Sequence, residues 1–275
     1  FVVHPYRKPV IGWMSEVMQL TRDDALSFYR AYYTPANAIL VVAGDVTADE
    51  VRPLAERYYG GLENTFKPAP RKRTAEPTPI AARRIEMSDP RTPTPVFQRQ
   101  YLAPSYTSDD GLAAEALDVL AEILGGGTQS RFYQELVIKQ KIAAYAGSWY
   151  SGDAADYGNF GFYAAPNPGQ DIATLETAMD KIVSRLVKEG VTQAELDLTR
   201  NKLLADTVYA LDSQAALARM FGVALSTGQS VADVLGWEGK IRQLTVADIK
   251  AAAVRVLDIR ASVTGILLPA PAIQN

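Results

Sequence analysis

The stretch Val10-Ile11-Gly12-Trp13, continued by Gln19-Leu20-Thr21 and Asp24, returns near the other end of the chain as Val234-Leu235-Gly236-Trp237, Gln243-Leu244-Thr245 and Asp248. The offset is constant, since 237 minus 13 and 244 minus 20 both give 224, and seven of the fifteen positions from 10 to 24 are identical in their partners. A period this long exceeds any solenoid or propeller unit and describes two related domains. Residues from about 78 to 225 precede the second copy, and their counterparts in the first would lie before residue 1. The offset therefore predicts that the chain holds the tail of one copy followed by all of the second.

Composition sets the outer limits. The 275 residues are enough for a substantial core, and 48% hydrophobic with 21% charged residues is ordinary for a globular chain. A net charge of −3 gives no reason to expect nucleic acid as a partner. No apolar run approaches the roughly 18 residues that span a bilayer, so no membrane span is expected. With no cysteine, thiolate metal sites and disulfides are excluded.

Working outward from the repeat, Thr21-Arg22-Asp23-Asp24 opens a helix with a capping box. Its face is Leu26, Tyr29, Tyr32 and Tyr33, and Pro35 stops it. Ala38 to Ala43 follows as a strand buried on both faces, and a second helix covers 48–59 up to Gly60-Gly61. In the second copy Thr245 caps, Ile249, Ala252, Ala253 and Val256 make the face, and Ser262 to Leu268 is the strand. Between the copies, four prolines and four basic residues from Lys67 to Pro79 read as an extended linker. The resulting partition is a tail at 1–66, a linker at 67–79 and a second domain at 80–275.

Within that domain, strands are expected at 80–87 and 95–102, where Arg99 on one face and Gln98 and Gln100 on the other suggest exposed polar positions on either side. Helices follow at 109–124, ended by Gly125-Gly126-Gly127, and from Ser130 to about Lys139. A hairpin pair covers 143–151 and 158–165, and helices cover 171–189 and 192–211, the second opened by the capping box Thr192-Gln193-Ala194-Glu195. Pairs of strands alternating with pairs of helices give an α+β fold, a sheet with helices packed on one face, in a duplicated-domain architecture.

The chemistry these residues allow is narrow. A catalytic zinc takes two or three histidines, and the chain has only His4. Gly125 to Arg131 lacks the Lys-Ser or Lys-Thr of a phosphate loop and joins two helices, so it reads as a helix stop, a turn and a cap at Ser130. Asp23-Asp24 and Asp109-Asp110 fall at predicted helix starts, where they complement the dipole. Tyr145, Trp149, Tyr150, Tyr157, Phe160, Phe162 and Tyr163 concentrate on the hairpin, as core packing or as the lining of a groove for an extended peptide.

His4-Pro5-Tyr6, Pro9-Val10-Ile11-Gly12, Leu20-Thr21, Phe28-Tyr29, Tyr32-Tyr33, Pro35-Ala36-Asn37 and Val41 to Val46 together resemble the later part of a catalytic domain in the pitrilysin/insulinase-type zinc metallopeptidases. Gly125 to Thr128 with Ser130-Arg131-Phe132-Tyr133-Gln134-Glu135-Leu136 resembles the glycine loop and helix of that family's second, non-catalytic domain. The resemblance implies a non-catalytic portion of a zinc-dependent metalloendopeptidase forming part of a peptide-binding chamber. The inverted zinc motif, His-x-x-Glu-His, does not occur here, so the resemblance puts zinc in the parent protein and no metal or catalytic residue on this chain. Its partners would be a catalytic domain or subunit of the same family and a peptide substrate. The alternative it leaves open is an inactive partner subunit or scaffold of a heteromeric peptidase complex. Many members carry an Arg and a Tyr in the second domain, and those positions fall here on Val137 and Ala144; the nearby Arg131 and Tyr145 are the peptide-contact candidates. The family's bacterial members lean the compartment towards the periplasm.

Overall fold

The computed structural model describes residues 1–64, 72–108 and 111–270, in two compact units. The first combines the described part of Phe1–Thr78 with Leu211–Ser226, and the second holds Pro79–Ala210 and the chain from Thr227. Part of the linker and the pair Asp109-Asp110 lie outside the described residues.

In the first unit a short helix α1, Met14–Val17, precedes α2, Arg22–Tyr32, and α3, Ala48–Tyr59. α2 starts where its cap dictates: the Thr21 amide donates to Asp24 at 2.9 Å, and the Asp24 amide donates back to the Thr21 hydroxyl at 3.2 Å. Thr47 and Glu50 repeat the device for α3. The expected strand at Ala38 to Ala43 is not formed. No ladder pairs it, and Ile39, Leu40 and Val42 are each about half exposed, at 51%, 56% and 51%. The run is apolar enough for a buried strand, but a strand needs a neighbour to hold its N–H and C=O groups, and the described residues of this unit contain no other strand. The tyrosines of α2 are exposed for the same reason.

The second unit contains, among the described residues, five strands in one sheet of order β1-β5-β2-β4-β3. They are β1 Arg83–Asp89, β2 Val96–Pro104, β3 Ala143–Ser151, β4 Tyr157–Pro166 and β5 Ser262–Pro269. β1 runs parallel to β5 and the other pairings are antiparallel, leaving β1 and β3 as the edges. The helices are α4 Ala113–Gly125, a π-helix at Tyr133–Lys139, α5 Ile172–Glu189, α6 Gln193–Ala210, α8 Val231–Gln243 and α9 Val246–Val256; α7, Gln214–Thr227, lies mostly in the first unit.

The period-two pattern of the strands decides which face is covered. Phe97 and Tyr101 on β2, Phe160 and Phe162 on β4, and Ile266 on β5 are buried in one core with Leu117, Leu120 and Leu124 of α4, Met179 and Leu186 of α5, and Ile249 and Ala253 of α9. The helices thus lie on one face. Arg99 shares that face and corrects the expectation of polar exposure on both sides, being only 3% exposed. Its guanidinium is matched there: Nη2 meets Glu176 at 2.6 Å, Nη1 meets Asp180, and Nε donates to the Thr264 hydroxyl at 2.8 Å. A buried arginine so paired avoids the penalty of an uncompensated charge.

The repeat recurs in the order and bounds of the local elements. α2 at 22–32 and α9 at 246–256 have the same bounds after a shift of 224, and so do the 3₁₀ turns Pro35–Asn37 and Ile259–Ala261. The shift carries segment 38–45 onto β5, which sits between β1 and β2. It also carries Ala25, Phe28, Tyr29 and Tyr32 onto the buried Ile249, Ala252, Ala253 and Val256, yet Phe28 and Tyr29 are 58% and 57% exposed. The two copies share local structure and differ in what covers it.

Candidate functional site: the open face of the sheet

Opposite the helices, the alternate residues of every strand form an open face. The register puts Tyr145, Gly147 and Trp149 of β3 beside Ala165, Tyr163 and Gly161 of β4, followed inward by Gln98 and Gln100 of β2 and Gly265 and Val263 of β5. Ile85 and Met87 close the row on β1, at 62% and 58% exposed.

Glycines shape the aromatic end of this face. A Cβ on Gly161 would stand 2.3 Å from the Trp149 indole, and one on Gly147 would stand 2.6 Å from the Tyr163 hydroxyl, so each ring lies across a glycine of the neighbouring strand. Trp149 Nε1 donates to Asn159 Oδ1 at 3.0 Å, fixing the indole. Tyr163 stands 5.9 Å from Trp149 and 6.0 Å from Tyr145 between ring centroids. Rings held in this way present apolar area with little rotamer freedom to lose on binding. Beside them β3 is a sheet edge, with main-chain groups not used by β4.

Of the two predicted contact residues, Tyr145 belongs to this platform and is 45% exposed. Arg131 does not. It points into the helix layer, where Nε and Nη2 grip Glu195 at 2.7 and 2.8 Å and Nη2 also donates to the Gly190 carbonyl at 3.0 Å. Burial works to raise the pKa of Glu195, but hydrogen bonds from Arg131 and the Thr192 amide overcome it and hold the carboxyl at about 2. The guanidinium therefore ties the start of α6 to the glycine turn, and the two candidates are not brought together. Val137 packs half-buried against the core, while Ala144 sits at a bulge in β3.

The glycine turn is built as its residues require. A Cβ on Gly125 would fall 2.1 Å from the Ser148 amide, so only glycine lets the end of α4 meet the β3 backbone. Gly127 takes φ +116°, and the Ser130 hydroxyl accepts from the Tyr133 amide at 3.4 Å while donating to the Gly127 carbonyl at 2.6 Å. The helix that follows widens into a π-helix from Tyr133, which the sequence pattern of a regular helix over 130–139 did not reveal.

Among the described residues no group of three histidine, aspartate or glutamate side chains is arranged to hold a metal ion. The buried His4 uses Nδ1 to accept from the Tyr6 amide at 3.2 Å. These residues do not fit a zinc centre.

Comparison with known proteins agrees with this geometry. The family described as the peptidase M16 inactive domain matches residues 19–203. The zinc protease PqqE of Helicobacter pylori is 29% identical over 270 residues, covering 98% of this chain and 60% of that protein. An uncharacterised zinc protease of Streptomyces coelicolor is 31% identical over 269 residues, covering 94% of this chain and 56% of its own. The chain thus spans a little over half the length of the curated relatives it matches. Among solved structures, a protease from Helicobacter pylori superposes with a TM-score of 0.90 at 28% identity over 98% of this chain and 64% of that one. A peptidase M16 inactive domain from Pseudomonas fluorescens shares the fold, with a TM-score of 0.82 at 20% identity over 99% and 63%. With a match over most of its length, the chain belongs to the M16 inactive-domain family of zinc-protease relatives.

Proposed function

We propose that the chain is the non-catalytic part of a zinc-dependent metalloendopeptidase, and that the open face of its sheet is one wall of a chamber for unfolded peptide. The observation that carries this reading is the platform of Tyr145, Trp149 and Tyr163, the last two seated over glycines, on and beside the edge strand β3. Such a surface suits an extended chain, whose side chains meet the rings and whose main chain meets the strand edge. Zinc, the nucleophilic water and the general base belong in this reading to the catalytic portion of the parent protein.

The first unit supports the same reading. Segment 38–45 is the counterpart of a central strand, and α2 exposes the face that α9 buries. Such a unit fits as the tail of a catalytic-type domain, covered by the remaining strands of that domain.

Fluorescence anisotropy with a labelled, unstructured peptide of about a dozen residues tests the wall. We expect saturable binding that Tyr145→Asp weakens at least several-fold, with unchanged thermal stability. No binding, or equal binding by that variant, would refute the wall. Adding zinc and measuring bound metal together with peptide cleavage tests the non-catalytic assignment, which stoichiometric zinc with turnover would overturn.

A further inference from the structure

Three carboxylates occupy one face of α4 at Glu115, Asp118 and Glu122, a spacing of three and four residues that stacks them along the helix. The outer two are each neutralised. Glu115, 2% exposed, meets Lys240 of α8 at 2.9 Å, and Glu122 meets Lys202 of α6 at 3.0 Å. Asp118, between them, has no cation among the described residues. Its Oδ2 accepts from the Tyr106 hydroxyl and from Trp237 Nε1 at 3.3 Å, both neutral donors, and Oδ1 receives no hydrogen bond from the described residues.

Asp118 borders a cavity of about 350 Å³ with aromatic walls: Tyr106, Tyr150 and Trp237 line it, together with Glu122 and the β3 strand at Ser148 and Trp149. Trp237 is held in place by its bond to the Tyr106 hydroxyl at 3.1 Å. A carboxylate backed by aromatic faces is the arrangement that attracts an organic cation, through the charge and the ring quadrupoles together. Burial pushes the Asp118 carboxyl up to about 7 although the bonds from Tyr106 and Trp237 oppose it. Glu115 on α4 and Asp153 in the β3–β4 turn add to the rise, and Lys240 and Lys202 are committed to the flanking acids. A positive ligand would relieve this cost.

We infer that the cavity between α4, α8 and β3 is a binding site for a primary ammonium group on an aliphatic stem, the chemistry of a lysine side chain or a free alkylamine, with Asp118 as counter-ion and Trp237, Tyr106 and Tyr150 as its walls. Trp149 is common to the edge of this cavity and to the peptide platform, but Asp118, Tyr106, Tyr150 and Trp237 are not part of the platform, and a free amine probes them without any peptide. Failure of peptide binding at the open face would leave it standing.

Trp237 is the tryptophan bonded to Asp118, so a background of Trp13→Phe with Trp149→Phe makes its indole fluorescence a local reporter. The 275-residue chain is titrated with n-butylammonium and with N-acetyl-lysine methylamide at fixed ionic strength, and with 1-butanol and N-acetyl-norleucine methylamide as neutral matches. Saturable change with the cations alone is expected, weakened at least ten-fold by Asp118→Asn. Binding of both cations supports the site for either source, and binding of the blocked lysine alone supports it with a peptide side chain as the source. Equal response to the neutral compounds, no saturation by either cation, or unchanged affinity in Asp118→Asn would overturn it. Should that variant not fold, intermolecular nuclear Overhauser effects from the ligand methylenes to the Trp237 indole in the unsubstituted chain decide the matter, and their absence overturns the site.

Discussion

Arg131 shows how a single side chain can carry a helix junction. It holds Glu195, which already closes the capping box of α6, so loss of the guanidinium removes a bidentate ion pair from a partly buried carboxylate. Arg131→Ala is expected to lower stability by roughly 1–2 kcal/mol near pH 7, after allowance for solvent screening. The pKa of Glu195 lies at about 2 when folded, below its ordinary 4.5, so its stabilising contribution is complete above pH 4.5 and drains away as pH falls towards 2. Denaturant melts of the two proteins should therefore differ most near neutrality and converge in acid. A gap that stays constant down to pH 2.5 would show that Arg131 acts through packing alone. The roles of such residues were the least legible part of the sequence. Arg99, Arg131 and Asp118 look like surface charges in one dimension, and only the fold shows that their partners come from positions such as Asp180, Glu195 and Trp237, far along the chain.

Among the secondary elements, legibility followed locality. Capping boxes at Thr21, Thr47, Thr192 and Thr245 need only residues three apart, and each marks a helix start where expected. Strand spacing and the helix-ending glycines were readable for the same reason. The π-widening after Tyr133 and the failure of segment 38–43 to pair were not, because both depend on neighbours outside the local window. The glycines separate these two kinds of constraint. Gly125→Ala would drive a methyl into the β3 backbone and should cost at least 1–3 kcal/mol. Gly239, exposed in the middle of α8 with open space around it, should instead gain roughly 0.5–1 kcal/mol on substitution by alanine. Urea denaturation of the pair would show opposite signs, and destabilisation by both would mean that the α8 backbone is not regular at Gly239.

Over the whole molecule, the duplicated pattern produces two units of unlike completeness. One closes a core around a five-stranded sheet; the other repeats the helix, the turn and the apolar run, with no sheet among its described residues to receive them. Hydrogen exchange should register this difference, with amides of β2, β4 and α4 exchanging slowest and those of 38–43 at close to the rate of an unstructured chain. Protection of 38–43 comparable to β5 would show that the run finds a strand partner in solution. The feature has a practical side as well. Ala38-Ile39-Leu40-Val41-Val42-Ala43 is six consecutive apolar residues, rich in β-branched side chains and free of charge and proline, in no strand ladder. That is the composition of a segment that templates cross-β stacking between molecules. Handled alone at high concentration, the chain should aggregate through this window, and its solubility will be governed by six residues that take no part in its core.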